Sequence, residues 1–165
     1  MLAPRKKYWS SPPEVIDAAI ELAQITNEDI VYDIGCGDGQ FLVRCAAQTG
    51  SRVIGVEIED LKAEEARARI NDAGCQSQVE VITGNALDLD YSDATVIFAA
   101  LIPRGLRKIL PIIQKIPRPL RVVTYLYPFE DLEPNQVWRH HSEDKMSVAW
   151  PVYLYHFEPN EEEQK

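Results

Sequence analysis

Ile30-Val31-Tyr32-Asp33-Ile34-Gly35-Cys36-Gly37-Asp38-Gly39-Gln40 decides the fold. The first five residues form an apolar run interrupted by one acid, the composition of a short strand buried in a parallel sheet. The three alternating glycines then predict a tight turn, whose backbone N–H groups can approach a ligand before the next helix begins. A nucleotide-like cofactor is the expected occupant of such a strand–turn–helix unit.

Spacing separates two such cofactors. A dinucleotide site places its third glycine three positions after the second, where the helix packs on the strand beneath a pyrophosphate; here that position is Gln40. Asp33 and Asp38 flank the turn, and carboxylates at a helix N-terminus repel the phosphates that the helix dipole attracts. They suit a ligand bearing an ammonium group. Asp33-x-Gly35-x-Gly37-x-Gly39 resembles motif I of the class I S-adenosylmethionine-dependent methyltransferases, whose cofactor carries an ammonium, a sulfonium and no phosphate.

Outward from this unit the pattern repeats. Ser11-Pro12-Pro13-Glu14 reads as a capping box that starts an amphipathic helix running to about Gln24. Phe41, Leu42, Cys45 and Ala46 mark the helix after the glycine turn, closed by Gly50. Val53–Glu57 is a second strand. It ends in an acid about twenty residues past the turn, where nucleotide folds place a ribose-binding carboxylate. Leu61–Ala73 is a charged helix with an expected Glu65–Arg69 pair. Val79–Ile82 and Ala94–Phe98 are strands, and Pro103 opens a helix that Pro111 should kink or break. Arg121–Leu126 is a fifth strand, and Gln136–His141 with Val148–Phe157 read as an antiparallel pair. Pro151 would deprive that pair of a ladder donor unless a bulge lies there or pairing starts at Val152.

The 165 residues, 45% of them hydrophobic, fit a single domain over 1–165, with an N-terminal arm at 1–10 and an acidic tail at 158–165. Strands alternating with helices imply an α/β fold. It is a doubly wound, mostly parallel sheet with helices on both faces and a C-terminal antiparallel hairpin, and the methyltransferase resemblance makes it seven-stranded and Rossmann-like. Seventeen basic against 26 acidic residues give a net charge of −9, which disfavours nucleic acid as a partner and favours a basic one. The one basic region is Arg104, Arg107, Lys108, Lys115, Arg118 and Arg121, and such runs are usually solvated helix faces. Cys36, Cys45 and Cys75 lack metal-ligand spacing and read as reduced thiols, so no metal is expected. No run is long and apolar enough to span a membrane, and 1–10 lacks a signal-peptide core. A cytoplasmic location is the plain expectation, and oligomeric state is not legible.

A narrower resemblance covers about 8–129. Tyr8-Trp9-Ser10-Ser11-Pro12, the glycine motif, Gly55-Val56-Glu57 and the Ile102-Pro103 pair after the fourth strand resemble the small protein-lysine methyltransferases that act on the adenine nucleotide translocase and the ATP synthase c subunit. Two features depart from that family: Asn85 stands where an acid meets the adenine amino group, and the hydrophobic membrane-targeting segment of those mitochondrial enzymes is missing. The resemblance implies S-adenosylmethionine as cofactor and a mitochondrial alternative for location. It also implies a protein substrate that presents a lysine. Asp33, Gly35, Cys36, Gly37 and Gly39 would bind the cofactor together with Glu57, Ile58, Asn85, Ala86 and Ala99. The apolar exit of the fourth strand, Ala99-Ala100-Leu101-Ile102-Pro103, should border the place where the acceptor arrives, and Tyr8, Trp9, Tyr125 and Tyr127 are expected to form an aromatic rim that tolerates a cationic amine. The acceptor loop lacks the Asn/Asp-Pro-Pro-aromatic segment by which adenine- and glutamine-methylating enzymes hold a planar amino group. His140, His141 and His156 have no visible nucleophile or metal partner, and no catalytic base is assigned. A small-molecule methyltransferase and a non-catalytic S-adenosylmethionine-binding module are the alternatives.

Overall fold

The computed structural model describes residues 11–139 and 150–159. Seven strands form one sheet in the order β3-β2-β1-β4-β5-β7-β6. β1 (Ile30–Ile34), β2 (Arg52–Glu57), β3 (Val79–Thr83), β4 (Val96–Ala99) and β5 (Leu120–Tyr125) are parallel, and β7 (Val152–Phe157) runs antiparallel between β5 and the edge strand β6 (Gln136–Trp138). β1 is central because its sequence can be buried on both sides: Val31 to Ile34 are all inaccessible. The strand order reverses between β1 and β4, which opens a crevice at their carboxyl ends, beside the glycine turn. Pro151 is accommodated by the second expected route. Pairing begins at Val152, and the Pro151 carbonyl accepts from the Leu126 N–H at 2.9 Å, so the proline supplies an acceptor where it has no donor.

The two faces are covered unequally. Helices α1 (Pro13–Leu22), α2 (Gln40–Thr49) and α3 (Asp60–Ala73) cover one face, packing Ile16, Ala19, Phe41, Leu42, Cys45 and Ile70 on Val31, Val53, Val96 and Val123. The other face has α4 (Pro103–Ile113), which buries Leu106, Ile109 and Ile113 on Ile97, Val122 and Tyr155. Between β3 and β4 there is only a 3-10 turn at Ala86–Asp88.

Several local expectations are corrected. α1 starts at Pro13, so Pro12 is the N-cap and Ser11 lies one residue too far out; the Pro12 carbonyl receives the Val15 and Ile16 N–H groups, and no side chain caps the helix. Glu65 pairs with Lys62 at 2.8 Å, and Arg69 turns away to Asp38. Pro111 does not break α4; the helix runs on to Ile113. Arg121 belongs to no surface strip: its guanidinium donates to the carbonyls of Ala23 at 2.6 Å and Gln24 at 3.2 Å and to the buried Asp29, tying β5 to the end of α1.

Candidate cofactor and acceptor site

The glycine turn is built from inside. Gly35, Gly37 and Gly39 all have positive φ, and Gly39 begins α2 as its left-handed N-cap. A Cβ on Gly39 would stand 3.0 Å from Cβ and 3.1 Å from Cα of Ala66, so glycine is what lets the turn lie against α3. The N–H groups of Gly35 and Cys36 both donate to the Val56 carbonyl, at 2.8 and 3.0 Å. That of Gly39 donates to the Cys36 carbonyl, and that of Gly37 to Glu57 Oε2 at 2.8 Å. These four donors are therefore engaged within the protein. A pyrophosphate would need them free, whereas a cationic ligand needs the neighbouring carboxylates.

Glu57, at the end of β2, is buried and holds two backbone groups: Oε2 accepts from Gly37 and Oε1 from the Glu59 N–H at 2.9 Å. Each oxygen keeps a further acceptor position. The carboxylate expected to meet a ribose thus braces the turn itself. The Glu57 carbonyl receives the Gly84 N–H at 2.9 Å, linking the loop after β3 to the same point.

Asp33 is 3% exposed, and among the described residues no donor reaches its carboxylate. Burial first, then the charges of Glu57 and Asp38, push its carboxyl well above the usual carboxylate range. A buried acid beside a glycine turn, with no donor among the described residues, suits an ammonium group. Asp38 differs, because Arg69 donates to its Oδ2 at 3.0 Å and to its carbonyl at 2.9 Å. That strut from α3 spans 31 residues of sequence and has no local signal. Cys36 offers no reactive thiol: its sulfur is buried beneath the turn, and burial pushes the thiol up. A Cβ on Gly55 would fall 2.7 Å from that sulfur, so Gly55 is the small residue that makes room for it.

On the other side of the turn, Ile58 is 68% exposed after β2. Asn85 caps the 3-10 turn, its Oδ1 accepting from the Leu87 N–H at 3.0 Å, and Ala86 is half-buried beside it. The Asn85 carbonyl thus has a structural task apart from any adenine contact.

The residues expected near the acceptor lie at the exits of β4 and β5. Ala99 is fully buried and pairs in register with Ile34 and Thr124; Ala100 and Ile102 are exposed, and Pro103 starts α4. Leu101, in the middle of the apolar loop expected to meet the acceptor, packs where a Cβ on either Gly35 or Gly105 would meet its side chain at 3.2 Å. Tyr125 is not in a rim: it is 8% exposed and packs in the core on the α1 side. Leu126 adopts a left-handed φ of 74°, costly for a leucine, and beyond it Tyr127 is 38% exposed. Tyr8, Trp9, His140 and His141 lie outside the described residues.

Known proteins resemble this chain at three levels. The model of the ANTKMT methyltransferase domain matches residues 33–136. A protein-lysine N-methyltransferase from Saccharolobus islandicus (strain REY15A) is 32% identical over 154 residues, covering 92% of this chain and 94% of that protein. A 24-methylenesterol C-methyltransferase 2 from Oryza sativa subsp. japonica is 41% identical, but only over 65 residues, 39% of this chain and 18% of that one. Among solved structures, an RNA methyltransferase from Salinibacter ruber in complex with S-adenosyl-L-homocysteine superposes with a TM-score of 0.82 at 28% identity, over 91% of this chain and 94% of that one.

Proposed function

The chain belongs to the family of the ANTKMT methyltransferase domain, and from that premise we propose that it methylates the side-chain amine of a lysine in a protein, with S-adenosylmethionine as donor. The observation that carries the cofactor is the glycine turn, whose N–H groups are engaged internally while the buried Asp33 carboxylate has no donor among the described residues. What supports the acceptor is the match, nearly end to end, to a protein-lysine N-methyltransferase.

When bound, S-adenosylmethionine supplies a methyl group activated by its sulfonium. Asp33 would take the ammonium, and the remaining acceptor positions of Glu57 would take the ribose hydroxyls. Ile58 and Ala86 would give the base an apolar contact, and Ala99 would border the reacting end. The acceptor amine must be neutral to attack, and lysine in water has a pKa near 10.4. The apolar loop Ala99–Pro103 lowers that pKa by desolvation. The loop itself carries no Asp, Glu or His, so what it contributes is desolvation and positioning.

The test is incubation with labelled S-adenosylmethionine and a cell extract, followed by mass spectrometry of the labelled species. Methylated lysine in protein is the expected product. Label found only in RNA or in small molecules would refute the lysine acceptor.

A further inference from the structure

Charge is segregated along this chain. Residues 94–129 carry six arginines and lysines and no carboxylate, while the rest holds all 26 acidic residues against eleven basic ones. The fold uses some of the six as struts. Arg121 anchors β5 to α1, Arg118 donates to the Asp93 carbonyl at 3.2 Å, and Arg107 pairs with Glu130 at 2.9 Å. Arg104, Lys108 and Lys115 are exposed, and no carboxylate pairs with them among the described residues. On α4, Arg104 and Lys108 stand one turn apart and project within about 40° of one another, and Lys115 lies in the turn just past the end of the helix at Ile113. Arg104 and Lys108 point opposite the buried Leu106, Ile109 and Ile113. Arg104 stands two residues past Ile102 of the acceptor loop, and Lys108 and Lys115 follow it away from that loop.

We propose that this outer face of α4 docks an acidic, extended stretch of the substrate protein that lies near its target lysine; this rests on the protein-lysine reading above. Arg104 and Lys108 stand about 6 Å apart along the helix at 1.5 Å per residue, close to the spacing of alternate residues in an extended segment at 3.3 Å each, so carboxylates on one side of such a stretch can meet both cations. A protein segment fits better than a nucleic acid. The strip is narrow, with Glu130 paired to Arg107 beside it and Asp90 lining one small cavity together with Lys115, and a long polyanion would be repelled beyond it. The inference reverses the expectation, drawn from net charge alone, of a basic substrate segment.

Two synthetic peptides test this, each with one lysine, one flanked by glutamates and the other by glutamines at the same positions. With S-adenosyl-L-homocysteine present, fluorescence anisotropy should show the glutamate peptide bound roughly tenfold more tightly, the sum expected of a few exposed ion pairs. Physiological salt should reduce that preference. In the variant R104Q/K108Q/K115Q the two peptides should bind alike, with S-adenosyl-L-homocysteine affinity retained as the check on folding. Equal binding by the unsubstituted protein, or a preference that survives the triple substitution, overturns the docking strip. So does an RNA oligonucleotide that displaces the glutamate peptide at lower concentration than the peptide itself needs to bind. Methylation of neither peptide despite selective binding would count against the lysine acceptor and leave the strip standing.

Discussion

Glu57→Gln separates the two tasks that one side chain performs. In the protein each carboxylate oxygen accepts one backbone N–H, from Gly37 at 2.8 Å and from Glu59 at 2.9 Å, and the residue is 8% exposed. A glutamine keeps the shape but turns one acceptor into an NH₂ that faces an N–H. Charge-assisted hydrogen bonds contribute about 1.5–3 kcal/mol, so the unliganded variant should lose about 2 kcal/mol of stability. Glu57→Ala, which orphans both N–H groups, should lose about 3–5 kcal/mol, less than two full bonds where water enters. Urea unfolding without ligand reads this bracing alone. Calorimetric titration with S-adenosyl-L-homocysteine reads the ribose contact, where the glutamine variant should lose roughly ten- to a hundredfold in affinity. An alanine variant that unfolds at the unsubstituted midpoint would show that the two backbone bonds contribute nothing. Unchanged affinity in the folded glutamine variant would remove Glu57 from the ligand site.

Asp33→Asn should stabilise the unliganded protein at neutral pH yet weaken S-adenosyl-L-homocysteine binding. The folded carboxyl is raised above its unfolded value, so its stabilising contribution is complete below about pH 3.9 and is lost as pH rises through the folded value. Urea midpoints across that range should slope in the parent and flatten in the variant, and parallel slopes would refute the assignment. Gly39→Ala should cost about 2–4 kcal/mol, from a left-handed φ of 81° and from the approach to the Ala66 backbone. Gly74→Ala has the same hand, with φ of 66° and nothing within 4 Å, so equal losses at the two sites would eliminate the contact. Arg121→Lys keeps the charge but cannot span Asp29 and two carbonyls, and thermal unfolding should report a loss of about 1–3 kcal/mol.

Elements with a strong local pattern were legible in the sequence. β1, β2 and β3 fell within a residue or so of their expected bounds because each is a short apolar run between turn residues, and Gly50 and Gly74 mark helix ends by being left-handed C-caps. The site residues with backbone tasks were legible as types, since an acid twenty residues past the glycine turn is a spacing. That Glu57 grips the turn itself was not, because the Gly37 contact depends on parallel pairing of β1 with β2. Long-range partners escaped for the same reason. Arg69 has a local acid at Glu65 and still chooses Asp38, and Arg121 reads as surface charge until the fold brings Asp29 and the end of α1 to it. Tyr125 and Tyr127 have the same apparent chemistry in sequence. The strand's alternation sends one into the core, and the left-handed Leu126 between them leaves the other exposed.

The two halves of the site are held by different forces, and that difference bears on what each can recognise. The proposed cofactor half is fixed largely by backbone hydrogen bonds that run from Gly35 and Cys36 to the Val56 carbonyl and from Gly84 to the Glu57 carbonyl. These bonds are largely indifferent to side-chain identity, so this half can stay constant while acceptors change. The proposed acceptor half consists of apolar loop residues, Ala100 to Pro103, set by Leu101 lying against Gly35 and Gly105 and by the start of α4. Packing of that kind selects poorly among amines, because a methylene more or less is worth only about 1–3 kcal/mol in an apolar site. Discrimination between substrates therefore has to come from outside the reacting centre. With α4 adjoining the acceptor loop, and Arg104 and Lys108 on its outer face and Lys115 just beyond its end unpaired with any carboxylate among the described residues, this basic strip is where the structure offers it.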